Sequence, residues 1–237
     1  MPDRYSGKVA VITGATRGIG RLITEYFLAE GAAVHGIARS EATINHETYT
    51  HHAGVDIADE GAVRDAFRSI RLTHRSINIL INNAGAVASQ HSLLLPVSEA
   101  SEVVRTNVMG AYCASREAAK LMRKSGGRII TIGSMAAALE PAGDSIYAAS
   151  KVASETLMNV MAKEFQSWGI TCNTVGVTAI KTGMFHGFSE EVLDGVIAGL
   201  PIPRYATEKD IFNVIDFFAS DDSDYITAQT VYLGGVH

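Results

Sequence analysis

Tyr147 and Lys151 stand four residues apart in Tyr147-Ala-Ala-Ser-Lys151, with Ser134 upstream. On a helix this spacing leaves two side chains about 40° apart and roughly 6 Å along the axis, on one face. A phenol with an ordinary pKa near ~10 is a poor acid or base at neutral pH. A neighbouring ammonium favours the phenolate and brings that pKa towards a useful range. A serine hydroxyl aimed at the same point would hold a substrate oxygen while Tyr147 gives it, or takes from it, a proton. The trio reads as a proton-transfer site on a carbonyl or alcohol. The same spacing also suits an amphipathic helix ending in a solvated lysine, so the chemistry depends on what positions the pair.

A second group of residues suits an anion. Thr13-Gly14-Ala15-Thr16-Arg17-Gly18-Ile19-Gly20 lies between an apolar run and a segment of helical periodicity. Its glycines let the backbone turn sharply and let a pyrophosphate approach the helix N-terminus, where free N–H groups and the dipole favour negative charge. After the second strand run the sequence reads Ile37-Ala38-Arg39-Ser40, with no carboxylate until Glu41. An acid at that tip would take the ribose hydroxyls of NAD. Arg39 and Arg17 instead suit a 2′-phosphate, so the chain reads as selecting NADP(H). The other reading of Arg39 is a solvated loop residue.

The elements that must position these groups alternate. Strand runs are expected at Val9–Thr13, Val34–Ile37, His52–Val55, Ile77–Ile81, Arg128–Ile132, Ile170–Val175 and around Thr230–Leu233. Helical periodicity covers 19–27, 59–73, roughly 97–124, a segment carrying Tyr147 and Lys151 to about Trp168, and 207–219. About seven strands interleaved with helices, without a composition break or internal repeat, predict an α/β, Rossmann-like doubly wound parallel sheet with helices on both faces. In such sheets ligands bind beyond the carboxyl ends of the strands, where every motif above falls. The expectation is one domain over residues 1–237, with a small substrate lid around 183–205.

Composition bounds the rest. Of 237 residues, 47% are hydrophobic and 19% charged, enough for a sizeable core. A net charge of −5 gives no reason to expect nucleic-acid binding. No apolar run approaches the ~18 residues that would span a bilayer. The first residues, Met1-Pro2-Asp3-Arg4, lack the apolar core of a signal peptide, so a cytoplasmic protein is the default. Cys113 and Cys172 lack metal-ligand spacing and read as buried thiols, and no metal site is expected. His35, His46, His51 and His52 read as structural or solvated.

Taken in order, Gly14, Gly18 and Gly20 with Thr13, Asn82-Asn83-Ala84-Gly85, Asn107, Ser134, Tyr147-Ala-Ala-Ser-Lys151 and Gly234-Gly235 resemble the short-chain dehydrogenase/reductases over nearly the whole length. Within them the chain is most similar to the 3-oxoacyl-acyl-carrier-protein reductases, through Gly127–Ser134, Trp168–Thr171, Ala219–Asp222 and Tyr225–Thr227. The resemblance implies that Tyr147 is the general acid, Ser134 holds the substrate oxygen, and Lys151 tunes Tyr147 and binds the nicotinamide ribose. Asn107 would help retain a water that resupplies protons through Lys151. The turn from Gly14 to Gly20, with Thr16, Arg17 and Ile19, would take the phosphates. Asn83, Ala84 and Gly85 would lie along the adenosine side, and Asp56 and Ile57 would meet the adenine. Ile180 and Thr182 would hold the carboxamide. Two bland alternatives stay open: Asn82 pins neighbouring strands, and Asp56 caps the helix after Ile57.

The implied reaction is NADPH-dependent reduction of a β-ketoacyl thioester carried by an acyl carrier protein, in fatty acid or polyketide synthesis, by a homotetramer or homodimer. The competing readings are an NAD(P)-dependent dehydrogenase of a small cyclic alcohol, dihydrodiol or sugar, and a non-catalytic cofactor-binding regulator. The sequence also departs from its family. Val177-Thr178 stands where Pro-Gly is usual, so either the loop takes another path or Thr178 adds a methyl and a hydroxyl beside the pocket. Trp168 replaces an arginine used for carrier docking. Arg116, Lys120, Arg123 and Lys124 make a basic helix face that suits either an acidic carrier or solvent. Phe185, His186 and Phe188 would line an acyl channel or belong to a surface helix.

Overall fold

A computed structural model describes residues 3–180 and 190–236. Seven parallel strands form one sheet: β1 (Val9–Thr13), β2 (Ala33–Ile37), β3 (Tyr49–His52), β4 (Ile79–Asn82), β5 (Gly127–Ser134), β6 (Ile170–Val177) and β7 (Thr230–Tyr232). Their order is β3-β2-β1-β4-β5-β6-β7, so the winding reverses between β1 and β4. A crevice opens beyond the carboxyl ends of the strands at such a reversal. All five residues of β1 are buried, as a β-branched run covered on both faces requires.

Helices cover both faces. On one lie α1 (Gly18–Ala29) and α8 (Glu208–Ala219); on the other lie α2 (Glu60–Thr73), α4 (Gly110–Met122) and α6 (Ser145–Phe165). Val63, Ala66, Phe67 and Ile70 are the buried stripe of α2, and Asp59 caps it by accepting from Gly61 N at 2.8 Å and Ala62 N at 3.1 Å. The remaining helices are α3 (Val97–Val104), the short α5 (Ala136–Leu139) and α7 (Glu190–Ala198). Between α3 and α4 the chain makes a π turn, Arg105–Met109, in which Gly110 N bonds to Arg105 O. The long helix expected over 97–124 is therefore continuous but holds one residue too many for α geometry at its middle.

The third strand differs from expectation. Tyr49–His52 pairs with Val34–Ile37, while Ala53 and Gly54 form a turn in which Gly54 takes φ +72°. The β-formers Tyr49 and Thr50 lie in the ladder, and the glycine that the sequence reading placed within the strand ends it. Among the described residues no helix is long and apolar enough to cross a membrane, and no cluster of His, Cys, Asp or Glu is placed to hold a metal ion.

Candidate active site

A cavity of about 690 Å³ runs along the carboxyl ends of β1, β2, β4, β5 and β6. Its walls include Gly14, Thr16, Arg17, Ile19 and Arg39 at one end, Asp56, Ile57 and Asn83–Gly85 between, and Ser134, Tyr147, Lys151 and Ile180 at the other. These expected site residues share one space. Thr182, Phe185, His186 and Phe188 lie outside the described residues.

The end that holds Ser134, Tyr147 and Lys151 is built on α6 and β5. Tyr147 and Lys151 share a face of α6, with the ammonium 5.8 Å from the phenol ring centroid. Lys151 Nζ donates to the Ile132 carbonyl at 2.9 Å, which anchors the charge against β5. Ser134 closes the same strand, 8% exposed, and its Oγ accepts from Ala136 N at 3.2 Å. The Ser134 hydroxyl hydrogen stays free to donate to an oxygen in the cavity.

Asn107 sits inside the π turn, buried, and is held on every side. Its Oδ1 accepts from Ala86 N at 2.7 Å, and its Nδ2 donates to Ala86 O and to Ser150 Oγ, each at 2.9 Å. Ser150 Oγ in turn donates to Tyr147 O at 2.7 Å, and Ser154 Oγ donates to Asn107 O at 3.0 Å. The asparagine thus ties the β4 loop to the Tyr147 turn of α6. Sequence reasoning passed over Ser150 and Ser154, because helical serines carry no spacing signal. It also missed Asp144, which lines the substrate end, accepts from Ser89 Oγ at 2.5 Å, and has its carboxyl pushed upward by burial.

The other end suits a dinucleotide on its own terms. α1 begins at Gly18 with no side-chain cap and no acid in its first turn, so its leading N–H groups face the cavity without a protein partner from a capping side chain. Gly14 and Gly18 adopt φ +68° and +53°. A Cβ on Gly20 would lie 2.2 Å from Gly14 O, so helix and turn meet only because glycine is there. Thr13 Oγ1 accepts from Asn83 N and Ala84 N at 3.0 Å each, fixing the backbone of that loop along the cavity wall.

Arg17 and Arg39 are exposed at the rim, and neither belongs to an ion pair among the described residues. Asp56 is half-buried. Its Oδ1 accepts from Ala58 N at 3.0 Å and its Oδ2 from Arg105 Nη2 at 2.7 Å. Burial works to raise its pKa, but the Ala58 bond and the Arg105 guanidinium outweigh it and hold the carboxyl below its usual range. The cap of α2 is Asp59, which leaves Asp56 facing the cavity. Asn82 does pin its surroundings, donating to Ser115 Oγ at 2.8 Å and Thr131 Oγ1 at 3.3 Å.

The departures also find places. β6 runs through Val177, whose carbonyl accepts from Met135 N at 2.8 Å. Thr178 is 5% exposed, keeps out of the left-handed region and lines the cavity, so it adds its methyl and hydroxyl to the wall. Trp168 stacks on Phe165 at 5.6 Å, with the Arg123 guanidinium 5.1 Å above it. Arg116 pairs with Glu60 at 2.8 Å and Lys120 with Glu117 at 2.5 Å. Three of the four cations on that helix face are therefore engaged within the chain.

A model of the short chain dehydrogenase family matches residues 8–193. Curated relatives include the 3-oxoacyl-[acyl-carrier-protein] reductases of Salmonella typhimurium and Escherichia coli, each 33% identical over 98% of this chain and 97% of theirs. A short-chain type dehydrogenase/reductase of Picea abies is 32% identical over 97% of this chain and 92% of its own. Among solved structures, a "putative gluconate dehydrogenase" from Agrobacterium tumefaciens superposes with a TM-score of 0.89 at 27% identity, covering 98% of this chain and 96% of that one. A "putative short-chain alcohol dehydrogenase" from Sinorhizobium meliloti gives 0.87 at 27%, covering 97% and 96%.

Proposed function

This chain belongs to the short chain dehydrogenase family of nicotinamide-dependent oxidoreductases, and we propose that it is an NADPH-dependent β-ketoacyl thioester reductase. The observation that carries the reading is the joining of Ser134, Tyr147 and Lys151 with a capless helix N-terminus in one cavity. The relatives named as 3-oxoacyl-[acyl-carrier-protein] reductases support the substrate class.

When bound, the nicotinamide supplies a hydride to the carbonyl carbon. The chain's own groups handle the oxygen. Ser134 Oγ donates to it and fixes its direction, and Tyr147 delivers the proton as negative charge develops there. Lys151 stabilises the phenolate left on Tyr147, with its ammonium steadied by the Ile132 carbonyl. Asn107 keeps the π turn closed on Ala86 and Ser150, so that the Lys151 side of the cavity stays open to a water. Residues 14–20 and 83–85 hold the dinucleotide, with Asp56 and Ile57 at the adenine, and Ile180 and Thr182 at the carboxamide. Arg17 and Arg39 take a 2′-phosphate, which makes NADP(H) the preferred form. A small substrate lid is assigned around 183–205, of which residues 183–189 lie outside the described residues.

The acyl group arrives on a carrier protein, and the enzyme works in the cytoplasm as a homotetramer or homodimer. Exposed Val97, Val104, Met109, Tyr112, Val152 and Val160 on α3, the π turn, α4 and α6 support subunit pairing through those helices. A second reading, oxidation of a small cyclic alcohol, dihydrodiol or sugar, is favoured by the likeness to the Agrobacterium protein. The deciding experiment is a panel of acetoacetyl and longer β-ketoacyl thioesters, on carrier protein and on coenzyme A, with NADPH against NADH. Reduction of the thioesters with NADPH is expected. Alcohol oxidation with no thioester turnover would move the assignment to the second reading.

A further inference from the structure

One helical turn after Lys151, α6 carries Glu155, a half-buried carboxylate that the proton-transfer scheme does not use. Residues four apart on a helix share a face. Lys151 reaches the Ile132 carbonyl of β5, and Glu155 lies over the next residue of that strand, Gly133, where an added Cβ would sit 3.4 Å from its Oε1. Gly133 is in register with Gly176 on β6, and Gly176 with Tyr232 on β7. The Tyr232 ring covers Gly176 so closely that a Cβ there would fall 2.1 Å from its Cδ1. From that position the phenol donates to the Glu155 carboxylate, 2.8 Å from each oxygen. Two glycines clear a path across three strands, and a phenol–carboxylate bridge occupies it.

The bridge touches both halves of the site. Tyr232 packs against a cluster formed by Ala179, Leu193, Ile197, Leu200 and Val236, which joins α7 to the C-terminal strand. Among the described residues, the groups that act electrostatically on Glu155 are Tyr232 and the Lys151 ammonium. The strand residues beside it, Gly133 on β5 and Thr174 on β6, carry no charge. Burial raises the Glu155 carboxyl, while the phenol and the ammonium oppose that rise. The Lys151 hydrogen bond is to a backbone carbonyl, so Glu155 is the carboxylate that answers its charge from within the helix.

We propose that Glu155 is a positioning residue for Lys151: clamped by Tyr232, its carboxylate steadies the ammonium and tempers the positive field felt by Tyr147. The proposal rests on the assignment of Tyr147 and Lys151 to proton transfer. Glu155→Gln keeps the size and an acceptor for Tyr232 but removes the charge. The ammonium then acts unopposed, the Tyr147 phenolate is favoured, and the Tyr147 titration moves to lower pH. Glu155 lies eight residues from Tyr147, about 12 Å along the axis. A single charge at that distance moves a pKa by about half a unit to one unit.

The readout is the ultraviolet absorbance of tyrosinate against pH, taken as the difference between each protein and its Tyr147→Phe counterpart. It needs no substrate. In thioester reduction, Glu155→Gln is expected to lower kcat about three- to tenfold, with NADPH affinity within about twofold and the alkaline limb displaced alongside the titration. Tyr232→Phe keeps both the ring over Gly176 and the charge, so it should lower kcat and leave the titration in place. An unmoved Tyr147 titration in Glu155→Gln overturns the proposal even if activity falls, because a purely structural role would lower activity alone. An equal displacement in Tyr232→Phe overturns it too, since the charge would then not be the agent. Failure of every thioester to react would count against the substrate reading, with the titration still deciding Glu155.

Discussion

Replacing Ser150 with alanine removes a hydroxyl that is 1% exposed and joins Asn107 to the Tyr147 turn of α6. Its Oγ accepts from Asn107 Nδ2 and donates to Tyr147 O. The Tyr147 carbonyl keeps its helical partner in α6, so its loss is small. The Asn107 amide keeps one proton on Ala86 O and has the other left unpaired in a buried site. A stranded buried donor costs about 1–3 kcal/mol, so Ser150→Ala should destabilise the fold by about 2 kcal/mol. For a domain of this size that lowers Tm by about 4–8 °C. The amide can relieve the strain only by turning away from its present plane, which loosens the π turn beside Lys151. A displacement of even part of an ångström there should lower kcat about tenfold with little change in KM. Thermal melts and steady-state kinetics measure both effects. A loss below about 0.5 kcal/mol with unchanged kcat would refute the claim that Asn107 depends on this contact.

Tyr147→Phe should lower turnover by a hundred- to ten-thousand-fold, about what a general acid contributes, while NADPH binding measured by fluorescence stays nearly unchanged. Near-normal turnover would remove Tyr147 from the mechanism. Arg39→Asp should cost about 30- to 100-fold in kcat/KM with NADPH and far less with NADH, because one charge-assisted contact is exchanged for repulsion. Equal losses with both cofactors would make Arg39 a rim residue only. His35 is buried, 3.1 Å from His52 Nε2 and edge-on to His74, and burial followed by these two rings pushes it down to about 4. Its folded value lies below its unfolded one, so the stability it contributes is present above pH ~6.5 and is lost as pH falls towards ~4. The stability from urea melts should fall by about 3 kcal/mol across that window, and His35→Phe should flatten the fall; a variant with the same slope as the parent would refute the assignment.

The place of the candidate site was legible where residue identity and spacing alone carry it. Tyr147, Lys151, Ser134 and the glycines around Arg17 announce themselves by type and spacing, and Val9–Thr13 by its unbroken apolar run. The third strand was misplaced because an edge strand is chosen by its register against β2, and that lies outside any local window. The cap of α2 stayed an open alternative for Asp56 because Asp59, three residues on, offers the same kind of side chain, and it is Asp59 that caps. Glu155 and Tyr232 stand 77 residues apart, and nothing in either neighbourhood points to the other. The basic row on α4 looked free because its acids, Glu60 and Glu117, belong to another helix or to a buried turn of its own.

The π turn has a consequence for inheritance. Arg105, which grips Asp56 midway along the cavity, and Asn107, which ties Ala86 to the Tyr147 turn of α6, are carried by the same five residues. A π turn is an α-helix with a single residue inserted, and losing one residue there would restore regular geometry with little harm to the helix. Everything downstream would then rotate by about 100° relative to α3. Asn107 would leave Ala86, or Arg105 would leave Asp56, because a regular helix cannot serve both addresses at once. Substitutions can alter each contact separately, whereas a one-residue deletion between Arg105 and Met109 would uncouple the Asp56 contact from the Ala86 contact in a single step.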